Sequence, residues 1–189
     1  MTRYLPGLEP QRPVSEAHDG EGDDWFTPPR VLAAVASLAP DGMIDLDPCW
    51  SAGSLVEARH VIDVRAGGDG LLDAWKGDGL VWCNPPYSDV APWLRRCRDT
   101  ARTGRPVVAL VPVSVETVAW WSDVWGAGAA LVITLGRLRF VGVDGQQHGS
   151  AKSATCWIAW DVEIARRLAR ALRCEGFEVR VITSEDCNA

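Results

Sequence analysis

Long apolar runs are absent from this sequence of 189 residues. A membrane-spanning helix needs about 18 or more consecutive apolar residues, and no stretch of that kind occurs, so no transmembrane helix is expected. The opening residues, MTRYLPGLEPQRPVSEAHDGEGDD, lack the apolar core that a secretory signal peptide has. We therefore expect the protein to be cytoplasmic, with no membrane partner.

Closely spaced cysteines are also absent. The chain has six cysteines, but no two form a Cys-x-x-Cys pair and none has a nearby histidine. Zinc sites and disulfide frameworks both need such spacing, so neither is expected. We predict free thiols, several of them buried as small apolar side chains, and no metal site. The six are Cys49, Cys83, Cys97, Cys156, Cys174 and Cys187.

An excess of positive charge is the third absence. The formal net charge is -6, which argues against a protein that coats nucleic acid through bulk electrostatic attraction. A local basic face remains possible, because arginines cluster in several short stretches. The net charge therefore does not exclude a protein that contacts DNA through a small basic area.

The alternation of apolar segments predicts one α/β domain. Residues 1–23 are rich in proline, glycine and acidic residues and read as a mobile lead, and the domain covers residues 24–189. Strands separated by helical patterns indicate a mostly parallel, doubly wound sheet. The predicted strands are 43–49, 60–64, 80–84, 106–114, 129–140, 154–160 and 177–184. The predicted helices are 27–39, 90–104, 115–128 and 161–176.

Polar side chains stand at the ends of three predicted strands. Asp47, Asp63 and Asn84 each lie at or beside the carboxyl end of a strand. In sheets of this kind, ligands bind beyond the carboxyl ends of the strands. We therefore expect the three side chains to gather at one edge of the sheet, where a ligand would bind.

The most specific local pattern is Asn84-Pro85-Pro86-Tyr87, at the exit of an apolar strand. The Asn84 amide oxygen and the Pro85 carbonyl can both accept hydrogen bonds from an amino group. Pro86 has no N–H to compete with them and fixes the backbone, while Tyr87 offers a ring on which a planar base can stack. The alternative is a rigid turn with a packed tyrosine.

The ordered set of motifs resembles the bacteriophage Dam-type DNA N6-adenine methyltransferases. The matching stretches are DWFTPPRV, IDLDPCWSAGS, DGLLDAW, VWCNPPYS and GRLRF with the later HGSAKSA, within residues 24–160. The resemblance implies a single-domain Rossmann-like methyltransferase fold and S-adenosylmethionine as cofactor. It also implies adenine N6 in DNA as the methyl acceptor, no metal, and a chain encoded by a phage or prophage in a bacterial host.

The resemblance further implies which residues hold the cofactor. Asp47 and Pro48 would lie near its methionine part, in a loop where only Gly53 is glycine. Asp63 would accept from the ribose hydroxyls and Asp69 from the adenine, although which of the two binds the ribose stays open. The stretch Trp25, Thr27 and Pro28 would close over the methionine end. Local alternatives are a strand-end turn for Asp47, a solvated loop for Asp63 and helix capping for Thr27.

The segment GRLRFVGVDGQQHGSAKSA is the main candidate for DNA contact. Its basic side chains could meet phosphates, its amides and histidine could reach base edges, and Phe140 could stack on a flipped adenine. Core packing is the equal alternative for Phe140. The remaining candidates are Arg137, Arg139, Gln146, Gln147, His148 and Lys152.

Other functions use the same tetrad. Amide nitrogens of protein glutamine and amino groups of RNA are alternative acceptors, and a non-catalytic nucleic-acid-binding relative is a third possibility. Methylation of cytosine C5 is disfavoured, because it needs a thiolate nucleophile that typically follows a proline, whereas Cys83 precedes the tetrad. The oligomeric state and the target DNA sequence are not indicated by the sequence.

Overall fold

The computed structural model describes residues 26–141, 147–150, 153–183 and 186, with only the backbone for 147–150. The predicted lead over residues 1–23 lies outside these ranges, as do Trp25, Gln146 and Lys152. The division into a lead and a domain therefore stays a prediction.

Helices and strands alternate along the described chain much as the sequence pattern predicts. The helices are α1 (Pro29–Ala36), α2 (Ala91–Ala101) and α3 (Val162–Cys174). The first strands are β1 (Ile44–Asp47), β2 (Ala58–Val61), β3 (Val81–Cys83), β4 (Val107–Pro112) and β5 (Ala130–Thr134). The later strands are β6 (Arg139–Val141), β7 (Gln147–Ser150), β8 (Thr155–Ala159) and β9 (Val179–Ile182).

Seven of these strands form one sheet in the order β2-β1-β3-β4-β8-β5-β9. The pairs among β2, β1, β3 and β4 are parallel, whereas β8 runs antiparallel to both neighbours and β9 antiparallel to β5. The predicted mostly parallel sheet is thus confirmed for the first half and wrong for the second. The chain between β5 and β8 forms the antiparallel hairpin of β6 and β7. A hairpin returns the chain in the opposite direction, so β8 runs antiparallel to β5, whereas a helical crossover would have made the two strands parallel.

The sheet is covered on both faces. Trp82, Leu110 and Trp157 point to the face that packs against α1 and α3. Their strand neighbours Val81, Ala109 and Ile158 point to the other face, which packs against α2 and residues 120–125. Because strands β3, β4 and β8 are almost wholly buried, they read as nearly continuous apolar runs, whereas the equally buried β1 carries Asp45 and Asp47 between its apolar residues.

Two predicted elements have a different form in the structure. The helix expected over 115–128 is a π-helical turn at Trp120–Val124 followed by a 3₁₀ turn at Trp125–Ala127. The strand expected over 129–140 divides into β5 and β6, because the chain turns at Gly136, whose φ of 81° is in the left-handed region. β7 falls where a loop was expected.

The fold places the predicted site at the carboxyl edge of the parallel half. β1 ends at Asp47, and β3 ends at Cys83, directly before Asn84. Phe26, just before α1, exchanges two backbone hydrogen bonds with Val141 at the end of β6. The N-terminal segment is thereby held against the β6–β7 hairpin. Within the described ranges, no helix has the length and apolar character needed to cross a membrane.

Candidate active site

The amide of Asn84 is the central polar group at this edge. Its Nδ2 donates a hydrogen bond to Oγ1 of Thr27 at 3.4 Å. Its Oδ1 is buried and has no hydrogen-bond partner among the described residues. Buried acceptors in folded proteins almost always have partners, so an exception at a strand end marks a place where an outside donor fits. The amide oxygen is therefore available to accept a hydrogen bond from an outside donor.

The rest of the tetrad leads from the interior to the surface. Pro85 is buried, whereas Pro86 and Tyr87 are exposed, with 38% of Tyr87 accessible to solvent. Burial raises the pKa of the Tyr87 hydroxyl, and the nearby Cys156 side chain raises it further. The hydroxyl end therefore points into a desolvated setting, while part of the residue remains available to a ligand.

Thr27 does not cap α1 as the local pattern suggests. The N-cap is Pro28, and the cap has no side-chain hydrogen bond. Thr27 is buried, with 4% of its surface exposed, and its hydroxyl turns to Asn84 instead. The N-terminal segment therefore reaches the strand edge through this side chain.

Asp47 is a buried carboxylic acid at the end of β1. It is 3% exposed, and its Oδ1 accepts a hydrogen bond from the backbone N–H of Cys49 at 2.8 Å. Burial raises the pKa of Asp47 to about 7, and the Cys49 hydrogen bond only partly offsets this. A cationic group bound beside Asp47 would stabilise its ionised form.

Three thiols lie in contact between the ends of β1 and β3. Sγ of Cys49 lies 3.6 Å from Sγ of Cys83, and Cys83 also makes a side-chain hydrogen bond with Cys97. Burial raises the pKa of Cys49 to about 11 and the pKa of each of the other two well above its ordinary value. The thiols are thus protonated at neutral pH and act as packing groups. The five cysteines in the described ranges are all free, as predicted.

The two aspartates proposed for the nucleoside part of the cofactor lie in turns after β2. Oδ1 of Asp63 accepts from the backbone N–H of Arg65 and Ala66, and caps a 3₁₀ turn at Val64–Ala66. Oδ1 of Asp69 accepts from Leu71 and Leu72 in the same way. Asp63 also lines a cavity of about 590 Å³ together with Leu46, Ile62 and Gly68.

Close packing ties the Asp69 turn to the Asp47 loop. A Cβ on Gly70 would lie 2.1 Å from the Pro48 carbonyl oxygen and 2.5 Å from the Trp93 ring, so only glycine fits there. In the same loop, a Cβ on Gly53 would lie 3.0 Å from the ring of Phe26. The turn that carries Asp69 therefore packs against Pro48, and Gly53, later in the same loop, packs against Phe26.

The residues proposed for DNA contact divide into three groups. Arg137 and Arg139 are exposed on either side of the buried Leu138. Phe140 is 5% exposed and packs in the core beside α1 and α3. The expectation that Phe140 stacks on a flipped base is therefore wrong for this conformation, because its ring has no accessible face. Gln147 and His148 lie in β7, but only their backbones are described, and Gln146 and Lys152 lie outside the described ranges.

The comparisons with known proteins identify the family. The family model for DNA N-6-adenine-methyltransferase (Dam) matches residues 14–169, which is well over half of the chain. The chain belongs to the Dam family. Membership indicates an enzyme that methylates adenine N6 in DNA. Searches among curated proteins and among solved structures find no match to the chain.

In this Dam-family chain, sequence reasoning left two residues of the site without a role. Phe26 was part of a matching motif, and Cys49 was only one scattered thiol. In the structure Phe26 joins Gly53 to Val141, and Sγ of Cys49 receives a hydrogen bond from the backbone of Asn84. The position of Cys49, directly after Asp47-Pro48, is the one signal that could have drawn attention to it.

Acidic, histidine and cysteine side chains are the usual protein ligands of metal ions. Among the residues that the structure describes, no three of them gather in a way that could hold a metal ion. The polar groups of the candidate site are the Asn84 amide, the Thr27 hydroxyl, the buried carboxyl group of Asp47 and the hydroxyl of Tyr87.

Proposed function

We propose that this protein transfers the methyl group of S-adenosylmethionine to N6 of adenine in DNA, with the target adenine turned out of the duplex. The observation that carries the proposal is the buried Oδ1 of Asn84, an acceptor without a partner at the carboxyl end of β3. Family membership supplies the chemical class, and this oxygen supplies a place for an amino group to bind.

The adjacent backbone offers a second acceptor for the same amino group. The Pro85 carbonyl follows Asn84 directly, and Pro86 has no N–H that could compete for either oxygen. An amino group that donates to both oxygens is drawn toward tetrahedral geometry, which exposes the nitrogen lone pair. Catalysis then consists mainly of positioning, with fixed dipoles directed at the charge that develops on nitrogen.

The residues present fit the cofactor that this chemistry needs. Asp47 would hold its ammonium group, because a buried carboxyl group with a pKa of about 7 gains most from a nearby cation. Asp63, which lines the cavity, and Asp69 would bind the ribose and the adenine of the cofactor. Thr27 and Pro28, directly before α1, would contact the carboxylate of its methionine part. S-adenosylmethionine, when bound, supplies an electrophilic methyl group for direct displacement.

Tyr87 would receive the flipped adenine. Extrusion of a base from duplex DNA costs a few kcal/mol, and stacking on an aromatic ring offsets part of that cost. Tyr87 follows the two acceptors immediately and is 38% exposed. The base would therefore stack while its amino group reaches Asn84 and Pro85.

Arg137 and Arg139 would contact DNA phosphates from the strand edge of the β6–β7 hairpin. Their exposure, and the backbone hydrogen bonds that join this hairpin to Phe26, support the assignment. Gln147 and His148, which belong to β7, and Lys152, which follows in the sequence, would contact the DNA as well. A DNA substrate also supports the expected cytoplasmic location, in a bacterial cell that carries a phage or prophage.

The test is methyl transfer from labelled S-adenosylmethionine to unmethylated duplex DNA, with the product nucleoside identified after digestion. We expect N6-methyladenine from the wild-type protein and none from Asn84→Ala, while cofactor binding by Asn84→Ala stays within about twofold of wild type. Arg102→Ala, a change on the far end of α2, serves as the matched control and should retain full activity.

The alternative acceptors are tested in the same assay. RNA and a glutamine-containing peptide replace the DNA in parallel reactions. Transfer to either of them but not to DNA would overturn the proposed substrate. Cofactor binding without transfer to any acceptor would indicate a non-catalytic relative.

A further inference from the structure

Asn84 and Thr27 are the two ends of a contact that spans 57 residues of sequence. The amide nitrogen of Asn84 faces the hydroxyl of Thr27, and the amide oxygen faces the place proposed for the substrate amino group. Within the described ranges, this is the one hydrogen bond that the Asn84 side chain makes. The hydroxyl can hold one orientation of the amide, because once its own proton is donated to another group only its lone pairs face Asn84.

The orientation matters because the two ends of an amide have opposite hydrogen-bonding character. A half-turn of the side-chain amide would exchange its acceptor oxygen and its two N–H donors. The donors would then face the N–H groups of the adenine, so no hydrogen bond could form and the nitrogen lone pair would not be exposed. Transfer requires the oxygen on the substrate side.

Thr27 is held in place from both directions along the chain. Phe26 exchanges backbone hydrogen bonds of 2.8 and 2.9 Å with Val141, and its ring packs on Gly53. On the other side, Pro28 is the N-cap of α1 and its carbonyl accepts from the N–H of Val31 at 2.9 Å. The buried hydroxyl between these two anchors therefore has a fixed position relative to the sheet edge.

We propose that Thr27 is a positioning residue, which holds the amide nitrogen of Asn84 so that Oδ1 remains the acceptor for the substrate amino group. The inference deepens the proposed function and rests on the catalytic role given to Asn84. It is compatible with a contact between Thr27 and the cofactor, because a hydroxyl that accepts from Asn84 has its own proton to donate. Giving that proton to another acceptor is what prevents the hydroxyl from donating to the amide oxygen of Asn84.

The experiment compares Thr27→Val with Thr27→Ser. Valine has nearly the shape of threonine but no hydroxyl, whereas serine retains the hydroxyl. We expect kcat of Thr27→Val to fall about tenfold, as the loss of one hydrogen bond predicts, while that of Thr27→Ser stays within about threefold of wild type. The Kd for S-adenosylmethionine, measured by calorimetry, should change less than kcat in Thr27→Val.

A spectroscopic readout tests the contact without any turnover. The side-chain NH₂ signals of Asn84, assigned by their loss in Asn84→Ala, should shift in Thr27→Val and return toward their wild-type positions in Thr27→Ser. Unchanged signals in Thr27→Val would overturn the inference. So would an unchanged kcat, a loss confined to cofactor affinity, or a failure of serine to restore turnover.

The failure of this inference and that of the proposed function are distinguishable. If wild-type protein methylates adenine N6 and Thr27→Val does so equally well, Thr27 has no positioning role and the proposed function stands. If wild-type protein methylates no acceptor, the proposed function fails and the positioning role in transfer fails with it, even where the amide signals confirm the contact.

Discussion

The carboxylate of Asp45 and the guanidinium of Arg105 form a buried ion pair, with 3.0 Å between Oδ2 and Nη2. The same Oδ2 accepts from the backbone N–H of Gly79 at 2.7 Å. Arg105 donates to the carbonyl oxygens of Trp75, Lys76 and Gly79. The pair therefore holds the segment that leads into β3, and β3 in turn delivers Asn84 to the edge of the sheet.

Gly77→Ala should destabilise the fold by separating this pair. A Cβ at Gly77 would lie 2.1 Å from Oδ2 of Asp45, and the φ of 81° disfavours alanine in addition. Separation of a buried ion pair costs about 3–5 kcal/mol, so we expect a loss of that order in urea unfolding. Gly104→Ala is the control, because Gly104 has a similar φ of 90° but open space around it. Equal losses in the two variants would contradict this explanation.

Asp47→Asn should change the pH dependence of stability. The pKa of Asp47 rises from 3.8 to about 7 in the folded protein, so the folded state binds this proton more tightly than the unfolded state does. Its contribution to stability is complete below pH 3.8 and is lost as the pH rises through about 7. Asparagine does not ionise, so the variant does not lose stability in this way. For wild type, the loss of unfolding free energy amounts to about 4 kcal/mol, at 1.36 kcal/mol for each unit by which the pKa is raised.

The measurement for Asp47 is urea unfolding of wild type and Asp47→Asn at several pH values between 4 and 8. We expect the variant to gain stability relative to wild type as the pH rises. A variant that becomes less stable than wild type at pH 8 would show that the ionised carboxylate is stabilised by an interaction. The cofactor affinity of Asp47→Asn should fall relative to wild type mainly near and above pH 7, where the wild-type carboxyl group is ionised and supplies the counter-charge.

Tyr87→Ala should lower turnover while leaving cofactor binding intact. Stacking of a base on an aromatic side chain contributes about 1–3 kcal/mol, so we expect a loss of about tenfold or more in kcat/KM for DNA. Tyr87→Phe retains the ring and should remain near wild type, because the ring supplies the surface on which the base stacks. Equal losses of turnover and of cofactor affinity in Tyr87→Ala would indicate a structural role.

Arg139→Ala should weaken DNA binding in a salt-dependent way. An arginine that contacts one phosphate contributes about one unit to the slope of log K against log salt concentration. We expect Arg139→Ala to lose affinity and to lower that slope by about one unit, in fluorescence anisotropy with duplex DNA. Arg102→Ala, which removes an exposed arginine from α2, should bind like wild type. An identical slope in Arg139→Ala would exclude a phosphate contact.

Local patterns predicted most elements, but not how the strands of the second half run. β4 and β8 are both buried on both faces, so each reads as a continuous apolar run whichever direction it takes. Strand direction depends on the connection. The β6–β7 hairpin reverses the chain, and its second strand, β7, lies in a segment that the pattern predicted as a loop.

The candidate site was likewise predictable only in part from the sequence. Asp47 and Asn84 could be placed at one edge, because their strands are parallel and end there. The partner of Asn84 could not be predicted, because the position of Thr27 depends on the bridge between Phe26 and Val141, which lie 115 residues apart in the numbering (141 minus 26). Thr27 before two prolines has the local pattern of a helix cap, and only tertiary contacts direct its hydroxyl elsewhere.

The insertion of β8 between β4 and β5 has a consequence for the order of folding. During synthesis, β4 and β5 emerge from the ribosome well before residues 155–159, and each then has an exposed edge that only β8 covers. A chain that stops before Thr155 lacks β8 and β9, and therefore leaves one edge of β4 and both edges of β5 open to self-association. Residues 153–183 contain none of the groups proposed for methyl transfer, yet they determine when the rest of the sheet becomes complete.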